Sequence, residues 1–184
     1  MTRSRRPGKS KPKSIHFKLS DFKKVPKDSY GFENAWRYKE PIKTSVGKFG
    51  LEFFMTYDPQ PPDAEMVRLA GDLVQYAQSH SEYIRDIIHG HYRYYVTEYG
   101  PDSLFSDMPA DLKPKQIWKY CDPLLVVERN PKEDFVGPPY SCRIVANPEW
   151  EPEHNLSLEF SNGTIVTVNQ GPFQILEGIL RGEI

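Results

Sequence analysis

The dipeptide Asn162-Gly163 stands between two runs of alternating apolar and polar residues, and it restricts the fold more than any other feature. The run before it, 156–161, places two leucines and a phenylalanine on one face, and 164–169 continues the alternation. Both central residues of a two-residue hairpin turn need positive φ, which Asn and Gly tolerate best. The pattern therefore predicts a β-hairpin with one face packed on a core.

Other segments upstream of this hairpin also have strand or helix patterns. Strands are predicted at 123–130 and 140–147, and two β-rich runs within 42–58 predict a second hairpin with a turn or bulge at its glycines. Asp63 stands at an N-cap position before apolar residues at helical spacing. Ser79 and Glu82 then have the separation of a capping box ahead of a second helical pattern, so two successive helices or one bent helix both fit.

These patterns predict the α+β class, with an antiparallel or mixed sheet built from the N-terminal hairpin and four C-terminal strands. We expect the central helical pair to pack on one face of that sheet. An edge strand is predicted at 15–22, a brief helix around Trp118, and a closing helix at 173–180. The length of 184 residues and the 38% apolar content fit a single domain over 15–184.

Charge is distributed unevenly along the chain. Residues 1–14 hold six Lys or Arg and no acid, which leaves 18 basic and 25 acidic residues and a net charge near −7 for the remainder. Such a tail cannot bury enough apolar surface to offset its ordering entropy, so we expect it to be disordered. Nucleic acid is a possible partner only through this tail, which has no aromatic residue for base stacking.

The remaining composition excludes several classes of protein. Cys121 and Cys142 lack CxxC spacing, so neither a disulfide framework nor a zinc cluster is indicated, and we expect both to be reduced and buried. No signal-peptide pattern or membrane-length apolar run occurs, which predicts a cytoplasmic protein without a membrane partner. No phosphate loop or nucleophile elbow is present, and no cofactor is expected.

One polar cluster is dense enough to suggest a binding site: Trp150, Glu151, Glu153 and His154, with Glu149 beside them. Carboxylates with a histidine can ligate a metal or act as general acid and base. Flanking prolines keep the stretch extended, so the glutamates point to one side while the tryptophan and histidine point to the other. The preferred interpretation is a structural role, with the Trp150 indole packed under the hairpin and His154 hydrogen-bonded to the backbone, and no metal ligand is assigned.

The tyrosines and the two histidines of the second predicted helix can likewise be interpreted as structural or as functional residues. Its tyrosines form either a core wall or a partner surface. His89 and His91 are two positions apart and do not face each other on a regular helix, which argues against a shared metal.

The stretch from Trp150 onward resembles bacterial domains of unknown function that carry a Trp-acid-x-acid-His-Gly-Leu motif before a hairpin. Trp150, Glu151, Glu153, His154 and Leu156 match that motif. Asn155 and Asn169 stand where glycines are usual, and asparagine is the residue that best replaces glycine in a left-handed conformation. The resemblance implies an α+β domain without established catalysis, among small bacterial proteins that include some encoded near toxin systems.

Two functions follow as hypotheses. The first is a non-catalytic protein-binding module of the immunity-protein or adaptor kind, whose acidic body meets a basic protein partner. The second is a metal-assisted hydrolase or small-ligand binder that uses the cluster from Glu149 to His154.

Overall fold

The computed structural model describes residues 15–26, 35–55, 60–104, 108–130, 137–151 and 155–169. The predicted basic tail at 1–14 and the predicted closing helix at 173–180 lie outside these ranges. Within them, no helix is long and apolar enough to cross a membrane.

The described elements are eight strands, two α-helices and three short 3-10 segments. The strands are β1 Phe22–Val25, β2 Ala35–Tyr38, β3 Ile42–Lys43, β4 Lys48–Phe54, β5 Cys121–Arg129, β6 Tyr140–Pro148, β7 Leu156–Ser161 and β8 Thr164–Asn169. The helices are α1 Ala64–Ser79 and α2 Ser81–Tyr99, and the 3-10 segments are Leu19–Asp21, Pro101–Ser103 and Pro114–Lys119.

All eight strands join one mixed sheet, as the α+β prediction allowed. Its order is β1-β2-β4-β5-β6-β7-β8, with β3 paired to β4 beside this path. Only β4 and β5 run parallel among the described pairs. A parallel pair needs a long crossover, and α1 and α2 lie in that connection. The four C-terminal strands match the prediction, whereas the antiparallel pair of β1 and β2 extends the sheet beyond the predicted hairpins.

The hairpin of β7 and β8 is confirmed. Asn162 has φ 51° and Gly163 has φ 81°, so both central residues occupy the left-handed region that the sequence pattern requires. Leu156, Leu158 and Phe160 are all buried on one face. A register shift between Glu159 and Phe160 adds a bulge that the alternation did not reveal.

The predicted N-cap of the first helix is also confirmed, because the Asp63 carboxylate accepts a hydrogen bond of 2.9 Å from the Met66 N–H. The chain forms two helices that break at His80, whose N–H donates to the Tyr76 carbonyl while its own carbonyl accepts from the Ile84 N–H. The predicted capping box of Ser79 and Glu82 is wrong, because Ser79 is the last residue of α1 and His80 alone separates the helices.

The predicted edge strand at 15–22 is wrong for nearly all its length. The Asp21 carboxylate accepts from the Lys18 N–H at 2.8 Å, and the Asp21 N–H donates to the Lys18 carbonyl. Residues 18–21 therefore form a tight turn and not part of a β-ladder. The apolar alternation that suggested a strand instead lets Phe17 pack edge-on against Tyr38, with ring centroids 5.0 Å apart. Strand β1 begins only at Phe22.

The main core lies between the sheet and the helices. Helix α1 packs directly on β5 and β6, whereas α2 packs chiefly against α1 and the two later 3-10 segments. The prediction that both helices pack on one face of the sheet is therefore too simple, because α1 packs directly on the strands whereas α2 extends the core past the sheet. The largest fully buried side chains of this core include Trp150, Tyr92, Phe49, Phe53, Met66 and Ile117.

Apolar side chains are also buried on the sheet face that points away from α1. Strand alternation directs them opposite to the main core. This second cluster consists of Val25, Ala35, Phe54, Leu124, Val126 and Val145.

Candidate functional site

Trp150, the centre of the predicted polar cluster, is a core residue. It lies in the turn that follows β6 and has no exposed surface. Its indole N–H donates to Nδ1 of His91 over 3.2 Å, and its ring packs edge-on against Tyr92 with centroids 5.5 Å apart. The tryptophan therefore joins the end of β6 to α2.

The bond from Trp150 fixes the proton state of His91. An indole N–H can only donate, so Nδ1 of His91 must accept and carries no proton. Burial lowers the pKa of His91 to about 4, and the nearby Glu151 carboxylate opposes that shift without cancelling it. His91 is therefore neutral at physiological pH. A protonated ring would be a buried charge, and its Nδ1 could no longer accept the hydrogen bond from the indole.

His89 and His91 have separate partners, as their spacing suggested. The Nε2 atom of His89 lies 2.8 Å from the Leu112 carbonyl, whereas Nδ1 of His91 accepts from the Trp150 indole. Within the described ranges, no three His, Cys, Asp or Glu side chains come together as a possible metal site.

The remaining members of the predicted cluster divide into two groups. Glu149 is exposed and Glu151 is half-buried, and both lie at the end of β6. The Glu149 N–H donates to the Tyr120 carbonyl, which holds this end of β6 against the start of β5. Glu153 and His154 lie outside the described residues.

A cavity among the described residues lies elsewhere, between α1 and the β7–β8 hairpin. We call it the α1–hairpin groove, and its volume is about 710 Å³. Helix α1 supplies a polar wall, the strands β6 and β7 supply the opposite wall, and the hairpin turn closes one end. The lining residues used below are Arg68, Asp72, Gln75, Tyr76, Tyr140, Cys142, Phe160 and Val166.

The inner surface of the groove is apolar. Tyr76, Cys142 and Phe160 are each less than 10% exposed, and the rings of Tyr76 and Phe160 lie 5.0 Å apart. At the outer end, Val166 is 52% exposed on the hairpin. The lining therefore includes both buried and exposed apolar side chains.

The charged side chains that line the groove are Arg68, Asp72 and Glu159, which together carry one net negative charge. The Arg68 guanidinium pairs with both Glu65 and Asp72, over 2.6 and 2.7 Å, and these hydrogen bonds raise its pKa above the usual value. Burial raises the pKa of the Cys142 thiol to about 12, and Asp72, Glu159 and Glu65 add to the effect while Arg68 opposes it. The thiol therefore stays protonated, and the field at the floor of the groove favours a cation over an anion.

Asp63 holds the two walls in position. Its carboxylate accepts from the Tyr140 hydroxyl at 2.7 Å and from Arg129 at 2.9 Å, in addition to the Met66 N–H. Burial alone would raise the pKa of Asp63, but these hydrogen bonds and the Arg129 charge lower it. The start of α1 is thereby tied to the end of β5 and the start of β6.

Sequence reasoning missed the groove because its walls come from distant segments. Arg68, Asp72, Gln75 and Ser79 form a polar stripe with helical spacing, which is the only local signal. The same stripe is typical of any solvated helix face. Only the packing of α1 across β6 reveals that it borders a cavity.

The fold and the groove define a small α+β domain with a two-helix crossover and a cleft between helix and hairpin. The chain belongs to DUF6985, a domain of unknown function, whose family model matches residues 22–174. No curated protein and no solved structure matches the chain significantly.

Proposed function

We propose that this domain is a cytoplasmic, non-catalytic protein-binding module of the adaptor or immunity kind, and that the α1–hairpin groove binds an extended, positively charged segment of its partner. The observation that carries the proposal is the combination of a buried apolar floor with charged lining residues that sum to one negative charge. Peptide-binding sites commonly combine apolar pockets, which supply affinity, with a polar rim, which supplies orientation.

The size of the groove suits a short segment of a partner chain. Its volume of about 710 Å³ falls within the range of about 300–1,000 Å³ that is usual for small-ligand sites. Within the described part of the sheet, β8 pairs only with β7, so the main-chain groups on its other edge have no strand partner there, and Val166 of this strand lines the groove. An added partner strand could use those groups, as in β-augmentation.

The chemistry of the groove gives no support to catalysis. Its thiol is protonated, and its guanidinium is shared between two carboxylates. The acidic body of the chain, with a net charge near −7 outside residues 1–14, would instead speed encounter with a basic partner. In this proposal the motif from Trp150 to His154 stabilises the fold at the end of β6, and binding takes place at the groove.

Site-directed photocrosslinking in the native host tests the proposal. A photoreactive amino acid at Gln75, an exposed residue of the helix wall, should yield one discrete crosslinked protein. The same amino acid at Arg93, an exposed residue of α2 away from the groove, provides the matched control. No adduct at position 75, or the same adducts at both positions, would contradict a groove-specific partner.

A further inference from the structure

A second cavity lies on the sheet face that points away from α1, and it is independent of the groove. Its volume is about 460 Å³, and we call it the opposite-face pocket. Strands β2, β4, β5 and β6 supply its lining. The residues that matter here are Arg37, Lys48, Gly50, Glu52, Asp122, Leu124 and Asn147.

One end of the pocket carries three polar groups of different chemistry in a single row. Asp122 and Asn147 are direct partners across β5 and β6, so their side chains are neighbours on one face. Gly50 pairs with Leu124 in the parallel register, which places Lys48 beside Asp122. A cation, a carboxylate and an amide thus stand side by side.

The polar groups of this row have hydrogen-bonding capacity to spare. The Lys48 and Asp122 side chains are exposed and make no hydrogen bond or ion pair with another described residue. The Oδ1 atom of Asn147 is buried and likewise accepts no hydrogen bond within the described ranges. A buried acceptor without a donor is destabilising, so a ligand that donates a hydrogen bond to it would recover part of that cost.

The middle of the pocket is apolar. Gly50 has no side chain, and Leu124 lies over it so closely that a Cβ at this position would be 2.7 Å from Leu124 Cδ1. At the far end, Glu52 is fully buried and pairs with Arg37. Along β4, Lys48 and Glu52 are four residues apart, which is about 13 Å in an extended strand.

We propose that the opposite-face pocket binds a free α-amino acid with a medium-sized apolar side chain. The Lys48 ammonium receives the ligand carboxylate, and the Asp122 carboxylate and Asn147 Oδ1 accept hydrogen bonds from the ligand ammonium. The ligand side chain lies over Gly50 and Leu124 and stops short of the Arg37–Glu52 pair. Opposite charges on one small ligand match the two exposed charges of the row, whereas a singly charged ligand would leave one of them unmatched.

The test is an NMR titration of the ¹⁵N-labelled full chain with L-leucine. Saturable shifts are expected at the backbone amides of Gly50 and Leu124. Isoamylamine lacks the carboxylate and 4-methylvalerate lacks the amine, and each should bind at least about tenfold more weakly, because each loses one charge-assisted hydrogen-bonding group.

Matched variants complete the titration. Lys48→Gln and Asp122→Asn change exposed side chains, so both should fold, and each should weaken L-leucine binding about tenfold or more. Lys43→Gln on β3 removes an exposed lysine outside the pocket and should leave binding unchanged. Absence of saturable shifts with L-leucine, or equal binding of the two singly charged analogues, would overturn the assignment. Full binding by Asp122→Asn would overturn it as well.

Discussion

The indole N–H of Trp150 donates to Nδ1 of His91 inside the core, 3.2 Å away, and so connects the end of β6 to the second helix. Helix α2 makes few other contacts with the sheet, since it packs chiefly on α1 and the 3-10 segments. This buried bond therefore helps to orient the part of the crossover that lies beyond the sheet. Both side chains need a partner, because each would otherwise be a buried, unsatisfied polar group.

A double-mutant cycle measures the coupling between these two residues. Trp150→Phe leaves Nδ1 of His91 without a donor, and His91→Leu leaves the indole N–H without an acceptor. Each should lower the free energy of unfolding by about 1–3 kcal/mol, apart from any packing loss. In the double variant neither orphan remains, so the combined loss should be smaller than the sum by about 1 kcal/mol. Urea unfolding of the four proteins gives these values, and strict additivity would show that the bond contributes nothing.

Stability should fall in mild acid because of His91. Its pKa is lowered to about 4 by burial, whereas in the unfolded chain it is near 6.5. The unfolded state therefore takes up a proton first, and stability is lost as the pH falls from about 6.5 toward 4, by roughly 3 kcal/mol at most. Urea unfolding at pH 7, 6 and 5 should show this decline in the wild type and a flatter profile in His91→Leu. The same loss of stability with pH in both proteins would show that groups other than His91 cause it.

Asp63 should contribute both a cap and a charge, and two substitutions separate these effects. Asp63→Ala removes the cap and should cost about 1–2 kcal/mol. Asp63→Asn can keep the cap but loses the carboxylate that binds Arg129 and Tyr140. Because the pKa of Asp63 is lowered on folding, its contribution is present above the unfolded pKa and is lost as the pH falls through the folded pKa. Chemical unfolding at pH 6 and pH 3 should show a gap between wild type and Asp63→Asn that narrows at pH 3.

An added methyl group at Gly50 should force the end of the Leu124 side chain to move. Gly50→Ala would place a Cβ 2.7 Å from Leu124 Cδ1, and a change of the leucine rotamer should cost about 1 kcal/mol. Shortening the neighbour with Leu124→Val should recover part of that loss in the double variant. Thermal unfolding provides the comparison, and a Gly50→Ala protein as stable as the wild type would show that Leu124 moves aside freely.

The features that the sequence predicted well are those that neighbouring residues determine. The Asn162-Gly163 turn and the Asp63 cap each depend on a few consecutive residues, and both are present. The Ser79–Glu82 capping box failed because His80 serves as the boundary of both helices, and the Ser81 hydroxyl lies 2.8 Å from the Ser45 hydroxyl. This hydrogen bond joins residues 36 positions apart, which no local sequence pattern shows.

The cavities could not be predicted for the same reason. Arg68 and Tyr140 line one groove although more than seventy positions separate them, and the opposite-face pocket depends on the parallel register of β4 and β5. The alternation within each strand shows which residues share a face, but it does not show which strands are neighbours. Trp150 attracted interest through its acidic surroundings, and only the packing of α2 shows that its partner is His91.

The most direct test of the account is the affinity of the groove for the protein that crosslinks at position 75, measured by isothermal titration calorimetry. Asp72→Lys reverses a charge on the helix wall, and Asp86→Lys makes the same change on α2, where the aspartate is equally exposed and also paired with an arginine. We expect Asp72→Lys to weaken binding about tenfold and Asp86→Lys to leave it within about twofold of the wild type. Equal affinities for all three proteins would contradict a groove that recognises a basic partner segment.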